Sequence, residues 1–273
     1  MSKRPLSKKP PQTIHALKVS LLAMASFSIL IMVWFFPRIP QNPDYHNFAD
    51  SRLFWGIPNA ADVLSNWGFV IVGCLGILTW FRKIKIEAVT DFQKWAYLLV
   101  FIGIACIGLG SAHYHLAPNN HSLLWDRLPM SVVFMGLLSI VLGERVSEPI
   151  GKTLFVPLLA LGAFSVIYWH YTESRGVGDL RLYGVVQFYT LLFIPAIVLL
   201  FDHQEPQQKM AFLKMALFYG LAKVCEHFDD QIFAIGQLIS GHSLKHLWAA
   251  LATYFLIEAF EKRPTTLKRT QYT

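Results

Sequence analysis

Eight runs of about 20 mostly apolar residues follow one another along this chain, near 15–36, 59–82, 93–115, 122–142, 151–170, 181–201, 209–226 and 241–260. Inside a bilayer a backbone N–H or C=O finds no water. Runs of this length must therefore bond their own peptide groups, and the lack of period-two alternation selects helices over barrel strands. With 54% hydrophobic and only 15% charged residues, and a mean hydropathy of +0.43, the chain is too apolar for an ordinary soluble domain. The runs and their short connections use nearly all of it. The fold class this implies is all-α, a polytopic membrane helix bundle.

Lys and Arg are retained on the cytoplasmic side of a membrane, and here they cluster. The amino-terminal arm carries Lys3, Arg4, Lys8, Lys9 and Lys18; the connection after the second run carries Arg82, Lys83, Lys85 and Lys94; the tail carries Lys262, Arg263, Lys268 and Arg269. Both termini are thus expected in the cytoplasm, with segments 37–58, 116–121, 171–180 and 227–240 on the opposite, periplasmic or lumenal side. The first run could instead be a signal peptide, but Val19 to Phe36 is long and ends in Trp34, Phe35, Phe36, Pro37 and Arg38 without a small-residue cleavage pattern. An uncleaved helix is the expectation. The net charge of +7 is accounted for by these flanking clusters and is not a nucleic-acid footprint. Cys74, Cys106 and Cys225 show no CxxC spacing and read as packing residues rather than disulfides or thiolate ligands.

Ionisable groups at membrane depth are costly and tend to face a cavity or a partner. His115 ends the third run, Asp126 lies just inside the fourth, and His242 and His246 open the eighth, so all four fall near the non-cytoplasmic face. The i, i+4 spacing of His242 and His246 puts both imidazoles on one helix face. Two His from one helix and one from another can make a three-ligand zinc site that keeps a fourth position open. Ser111, four residues before His115, shares its face, while His113 points roughly the other way. A lone His near a helix end is commonly just an interfacial or hydrogen-bonded group, and Ser in a membrane helix commonly bonds its own turn. It is the coincidence of the five at one depth that points to a site. The cluster Glu226, His227, Asp229 and Asp230 reads as a solvated loop, ESRGVGDLR as a turn, and His15, His46, His121, His170 and His203 suggest no partner.

Three segments then carry a family resemblance. GSAHYHLAPNNHSLLWDRLPM is similar to the alkaline ceramidase pattern of Gly, Ser, three residues, His, and eleven positions later an Asp followed by Leu, Pro and Met. GHSLKHLWAALATYFL resembles that family's final-helix HxxxH, and PNAADVLSNWGFVIVGCLGI its first core helix with a Ser-Asn pair, here Ser65 and Asn66. The resemblance spans about 44–260. It implies seven core helices over 37–260, an extra amino-terminal helix over 15–36, a basic arm over 1–14 and a basic tail over 261–273. It further implies that His115, His242 and His246 bind zinc, that Ser111 and Asp126 are the catalytic groups, and that the reaction is hydrolysis of the amide of a ceramide or other N-acyl lipid.

One departure stands out. Eukaryotic members hold a calcium ion with an acidic stretch and a Glu at the start of the first core helix. Here Asn59 stands at the Glu position and the acidic spacing is altered. Asp50 and Asn59, with Asp44 and Asn47, could supply oxygen ligands to such a second metal, but Asp and Asn are equally ordinary turn and capping residues. Asp62 and Asn66 read as interhelical hydrogen-bonding groups. Two other classes compete: a non-enzymatic seven-helix zinc-containing receptor, against which Ser111 and Asp126 argue, and a membrane di-iron lipid hydroxylase, which draws on many more His from the cytoplasmic side.

Overall fold

The computed structural model describes residues 12–84, 90–201 and 205–263. The described residues form helices and no β-strand. Lys3, Arg4, Lys8, Lys9, Lys85, His203, Lys268 and Arg269, on which much of the charge argument and the terminal arm and tail rest, lie outside them. The chain divides into two units, 1–37 and 38–273.

The first unit is one helix, α1 (Gln12–Phe35). Its span has a mean hydropathy of 2.1 and buries none of its residues. Apolar groups all round a helix suit immersion in lipid rather than packing on a core.

In the second unit come α2 (Ala60–Ser65), α3 (Trp67–Lys83), α4 (Asp91–Leu116), α5 (Asn120–Val141), α6 (Glu148–Ser174), α7 (Arg181–Leu200), α8 (Pro206–His227), the short α9 (Asp229–Ala234) and α10 (Gly241–Glu261). Every apolar run of the sequence falls within helix, with the run near 59–82 broken at Asn66 into α2 and α3. Among the described residues six spans, α1, α2–α3, α4, α5, α6 and α7, are long and apolar enough to cross a membrane. The other two long helices, α8 and α10, are more polar for a physical reason. They are the most extensively paired helices of the bundle, and their charges meet across the seam, as in Lys214 with Glu258 at 3.2 Å and Lys245 with Glu226 at 3.1 Å.

Helix α3 packs on α4, α4 on α5, α5 on α7, α7 on α8, α8 on α10 and α10 back on α3, with α6 outside against α5 and α7. Six helices thus close a ring, and all six line one internal cavity. Outward faces carry exposed Ile71, Leu78, Phe164, Leu192 and Leu217, as lipid contact requires. At the end of the bundle far from His115, Glu144 is buried and accepts hydrogen bonds from Gln93, Tyr97 and Gln208. It sits in a π-helical turn, Leu142–Val146, which ends α5.

Close approach at two glycines sets the end of the bundle that carries His115. A Cβ on Gly110 would lie 2.1 Å from the Trp125 carbonyl oxygen, and one on Gly241 would lie 2.2 Å from that of Cys225. The first contact draws α4 to α5 beside Ser111 and Asp126; the second draws α10 to α8 beside His242. Backbone cannot yield as a side chain can, and small residues are what permit such approach between membrane helices. Gly110→Ala is therefore expected to destabilise the bundle by about 1–3 kcal/mol, read as a lower thermal midpoint in detergent. Gly220→Ala, whose methyl meets open space, leaves that midpoint unchanged or slightly raised.

Candidate metal centre

Helix α10 starts at an N-cap, Ser240, whose hydroxyl accepts from the Ser243 amide at 3.0 Å. Asp229 accepts from the His242 amide at 2.7 Å, satisfying another of the free N–H groups that begin any helix. Below this turn lies buried Asp62 of α2, which accepts from the Ser243 hydroxyl at 2.6 Å. These contacts fix the height and rotation of α10, and so of His242 and His246. Asp62 is an interhelical hydrogen-bonding group, as the sequence suggests.

The third ring, His115, comes from the last turn of α4. Its carbonyl accepts from the Asn59 side chain at 2.8 Å. Asn59 holds a left-handed backbone, φ +47°, which Asn tolerates better than most residues. The three rings stand mutually 4.9 Å apart between centroids, and one nitrogen from each lies within 4.8 Å of the others. All three are buried, while His113 is exposed. No other group of three potential metal ligands occurs among the described residues.

The donor set fits a metal ion. His246 Nδ1 is 2.8 Å from Ser65 Oγ, at the break between α2 and α3, which leaves Nε2 for ligation and supplies the outer-shell partner that metal-binding imidazoles require. His115 Nδ1 is buried with no hydrogen-bond partner. With zinc–nitrogen bonds of about 2.0–2.1 Å, the rings need move by only about 1 Å to share one ion. His242 Nε2 lies 2.8 Å from Lys245 Nζ and so accepts there. For it to ligate, the ammonium must turn to Glu226, whose Oε1 is already 3.1 Å away.

Ser111 and Asp126 open with His246 on one cavity of about 360 Å³, inside the range usual for small-molecule sites. Ser111 and Asp126 stand on adjacent helices, α4 and α5, in the wall of that cavity. The structure thus brings together all five residues singled out for the site. Beyond Phe69, Ile107, Met130, Tyr219 and Ala249, which line both spaces, the cavity adjoins a narrower space of about 90 Å³ walled almost wholly by apolar groups.

Residues 56–272 match the family model described as Ceramidase. This chain belongs to the ceramidase family. No curated protein and no solved structure matches it. The match contains Ser111, His115, Asp126, His242 and His246 and leaves helix α1 outside. In this ceramidase-family chain, part of the segment before the matched region crosses the site. Phe48 lies 4.6 Å, centroid to centroid, from both His115 and His242. The strap is tied down along its length. The Gln41 amide donates to Glu173 at 3.0 Å, His46 bonds Tyr114 and Asn120 at 2.9 and 3.0 Å, and the Ala49 amide donates to Asp229 at 3.2 Å.

The candidates for a second metal are engaged otherwise. Asp50 accepts from Arg52 Nε and Nη2, both at 2.7 Å, and Arg52 also donates to the carbonyls of Gln237 and Leu238. Two sequence readings are corrected. Glu226 is no solvated loop residue but bridges Lys223 and Lys245 at the cavity wall, and Asp229 ties the strap to α10. Lys223 is an i, i+3 neighbour on α8, but Lys245, Ala49 and the His242 amide come from α10 or the strap, so only the fold reveals those partners. His46 also has partners, and His121 and His170 face each other at 5.8 Å. Arg127 and Lys245 line the cavity too. The sequence offered as signal only that each is a cation beside a site residue.

Replacing the outer-shell hydroxyl, Ser65→Ala, is expected to weaken metal affinity by roughly 10-fold or more in a competition titration with a zinc chelator; His113→Ala leaves it unchanged. The strap has its own pH dependence. Arg52 beside Asp50 holds that carboxyl below the usual carboxylate range. A depressed folded value means stability that is complete above about pH 4, the unfolded value, and lost as pH falls through the folded one. Hydrogen exchange over 49–55, corrected for intrinsic rate, should quicken in that window; in Arg52→Gln it is fast at neutral pH and shows no such step.

Proposed function

We propose that this chain is a zinc-dependent membrane hydrolase that cleaves the amide bond of a ceramide-like N-acyl lipid to a fatty acid and a long-chain amine. One observation carries the reading: three buried imidazoles group together, and one of them, His246, shares with the Ser111 hydroxyl and the Asp126 carboxyl a cavity that adjoins an apolar space. A polar end with an apolar extension suits an amide at the junction of headgroup and acyl chain. His115, His242 and His246 hold the metal. Bound zinc supplies Lewis acidity toward the amide carbonyl and makes water a competent nucleophile near neutral pH.

The chain's own groups do the rest. The Asp126 carboxylate takes a proton from the attacking water and delivers it to the leaving nitrogen as the carbon–nitrogen bond breaks. The Ser111 hydroxyl donates a hydrogen bond to the oxygen that gains negative charge. Phe48 covers two of the imidazoles and limits the entry of bulk water. The charge pattern of the sequence supports cytoplasmic termini and a site facing the periplasm or lumen. The proposal keeps one metal, because a cation at Asp50 would have to displace Arg52 from both carboxylate oxygens.

Ser111 and Asp126 beside the imidazoles favour the hydrolase over a zinc-containing receptor. A di-iron hydroxylase would need more ligands than the three imidazoles grouped among the described residues.

The test is metal content and acyl release measured together on protein purified in detergent. About one zinc per chain is expected, lost along with fatty-acid release in the His242→Ala, His246→Ala double variant. Asp126→Asn keeps its zinc and loses roughly 10²–10⁴ in kcat, and Ser111→Ala roughly 10²–10³. Zinc without release from any N-acyl lipid would favour the receptor. Folded wild type that takes up no zinc even after resupply would overturn the reading.

A further inference from the structure

The guanidinium of Arg127 is the group in the cavity wall that the proposed chemistry leaves without a role. Arg127 is 4% exposed and follows Asp126 on α5. Its charge is permanent, yet Nε and Nη1 are buried with no hydrogen-bond partner, and it makes no ion pair among the described residues. Three rings hold it instead. Its central carbon lies 4.4 Å from the centroid of Trp169, 4.8 Å from that of Tyr183 and 5.2 Å from that of Tyr45. Cation–π contacts offset part of the cost of burial, but they leave the N–H donors unused. A buried charge with free donors is ordinarily met by an anion.

The surroundings add to the need. Arg127, Lys223 and Lys245 face Asp126 and Glu226 across one cavity, so three cations meet two carboxylates. Glu226 is already shared by both lysines. The fork of a guanidinium suits the paired oxygens of a carboxylate or phosphate, and its aromatic cradle fixes the plane of that fork. The same cavity holds Ser111, Asp126 and His246 and adjoins the apolar space.

We propose that Arg127 binds an oxyanion, a carboxylate or a phosphate, carried on the amine half of the N-acyl lipid that this site hydrolyses. The proposal rests on the hydrolase reading for its substrate class and makes Arg127 a specificity-determining residue. This narrows the N-acyl lipids of the hydrolase reading and departs from its long-chain amine product: a neutral sphingoid amine would leave the guanidinium unmet, while an N-acyl amino acid or an N-acylated amino-alcohol phosphate would satisfy it.

The test uses three lipids with one acyl chain: N-oleoylglycine, N-oleoylethanolamine phosphate and neutral N-oleoylethanolamine. Equilibrium binding to metal-stripped full-length protein in a non-ionic detergent separates recognition from turnover. At least one of the anionic lipids is expected to bind 10-fold or more tightly than the neutral one, and which of the two does so distinguishes carboxylate from phosphate. In Arg127→Gln that preference falls below about two-fold, while Arg127→Lys retains part of it because charge remains without the fork. Equal affinity for all three lipids in the wild type overturns the proposal whether or not a variant folds, as does a preference unchanged in Arg127→Gln. Inorganic phosphate that binds alone while the three lipids do not differ would mark a site for free anions and also overturn it. Acyl release from the zinc-loaded protein is scored separately. Preference without release from any lipid leaves the anion site standing and sinks the hydrolase; release without preference does the reverse.

Discussion

Within a hydrocarbon layer, a polar group on a helix has to be met by another polar group of the same bundle, because no water will do it. The arrangement of this chain follows from that requirement. Lys214, Lys223, Glu226, Lys245 and Glu258 would make α8 and α10 poor lipid-facing helices, so the two pair with each other and turn these charges into the seam or the cavity. Asp62 is met by Ser240 and Ser243; His246 is met by Ser65; Glu144 is met by Gln93, Tyr97 and Gln208. Apart from the Lys223–Glu226 pair within α8, each such contact joins parts of the bundle that are distant in sequence, so satisfying polarity and closing the bundle are one process.

The same requirement divides the bundle along its length. The Glu144 cluster and the imidazoles are separated by most of α4: from Gln93 to His115 is 22 residues, roughly 33 Å at 1.5 Å per residue. Between them the interior is apolar, and the narrow space beneath the cavity belongs to this stretch. One polar cluster is closed, with its carboxylate bonded by three side chains. The other keeps donors and acceptors unused, including His115 Nδ1 and the Arg127 Nε and Nη1. Arg127 also belongs to the wall of the cavity, so a ligand held there would meet donors that the protein does not.

What the sequence made legible divides along similar lines. The long helices could be read because twenty apolar residues have one structural solution in lipid. The imidazoles could be read because an i, i+4 pair is a local pattern and His115 ends a helix at the same depth. Ser111 could be assigned and His113 dismissed from helical period alone, and burial follows that division. The break at Asn66, the strap and the pairing of Glu226 could not be read. The strap and the Lys245 partner of Glu226 depend on residues far along the chain: Asp229 serves both Ala49 and His242, and Arg52 reaches the carbonyls at 237 and 238. An acidic cluster beside a helix end looks the same in sequence whether it faces water or a lysine from another helix.

Arg127 marks the limit of local reading most sharply, because its neighbours in sequence say nothing of Trp169, Tyr183 and Tyr45. It also bears on how the site is charged as a whole. Three neutral imidazoles add no charge, and the cavity wall carries three cations against two carboxylates. A divalent ion at the imidazoles would make the enclosure more positive still. A neutral ligand would leave that excess unbalanced. An oxyanion on the proposed substrate would balance it beside Arg127, whose Nε and Nη1 have no protein partner. On that argument the excess of positive charge around the cavity, rather than any single contact, would favour an anionic lipid over a neutral one.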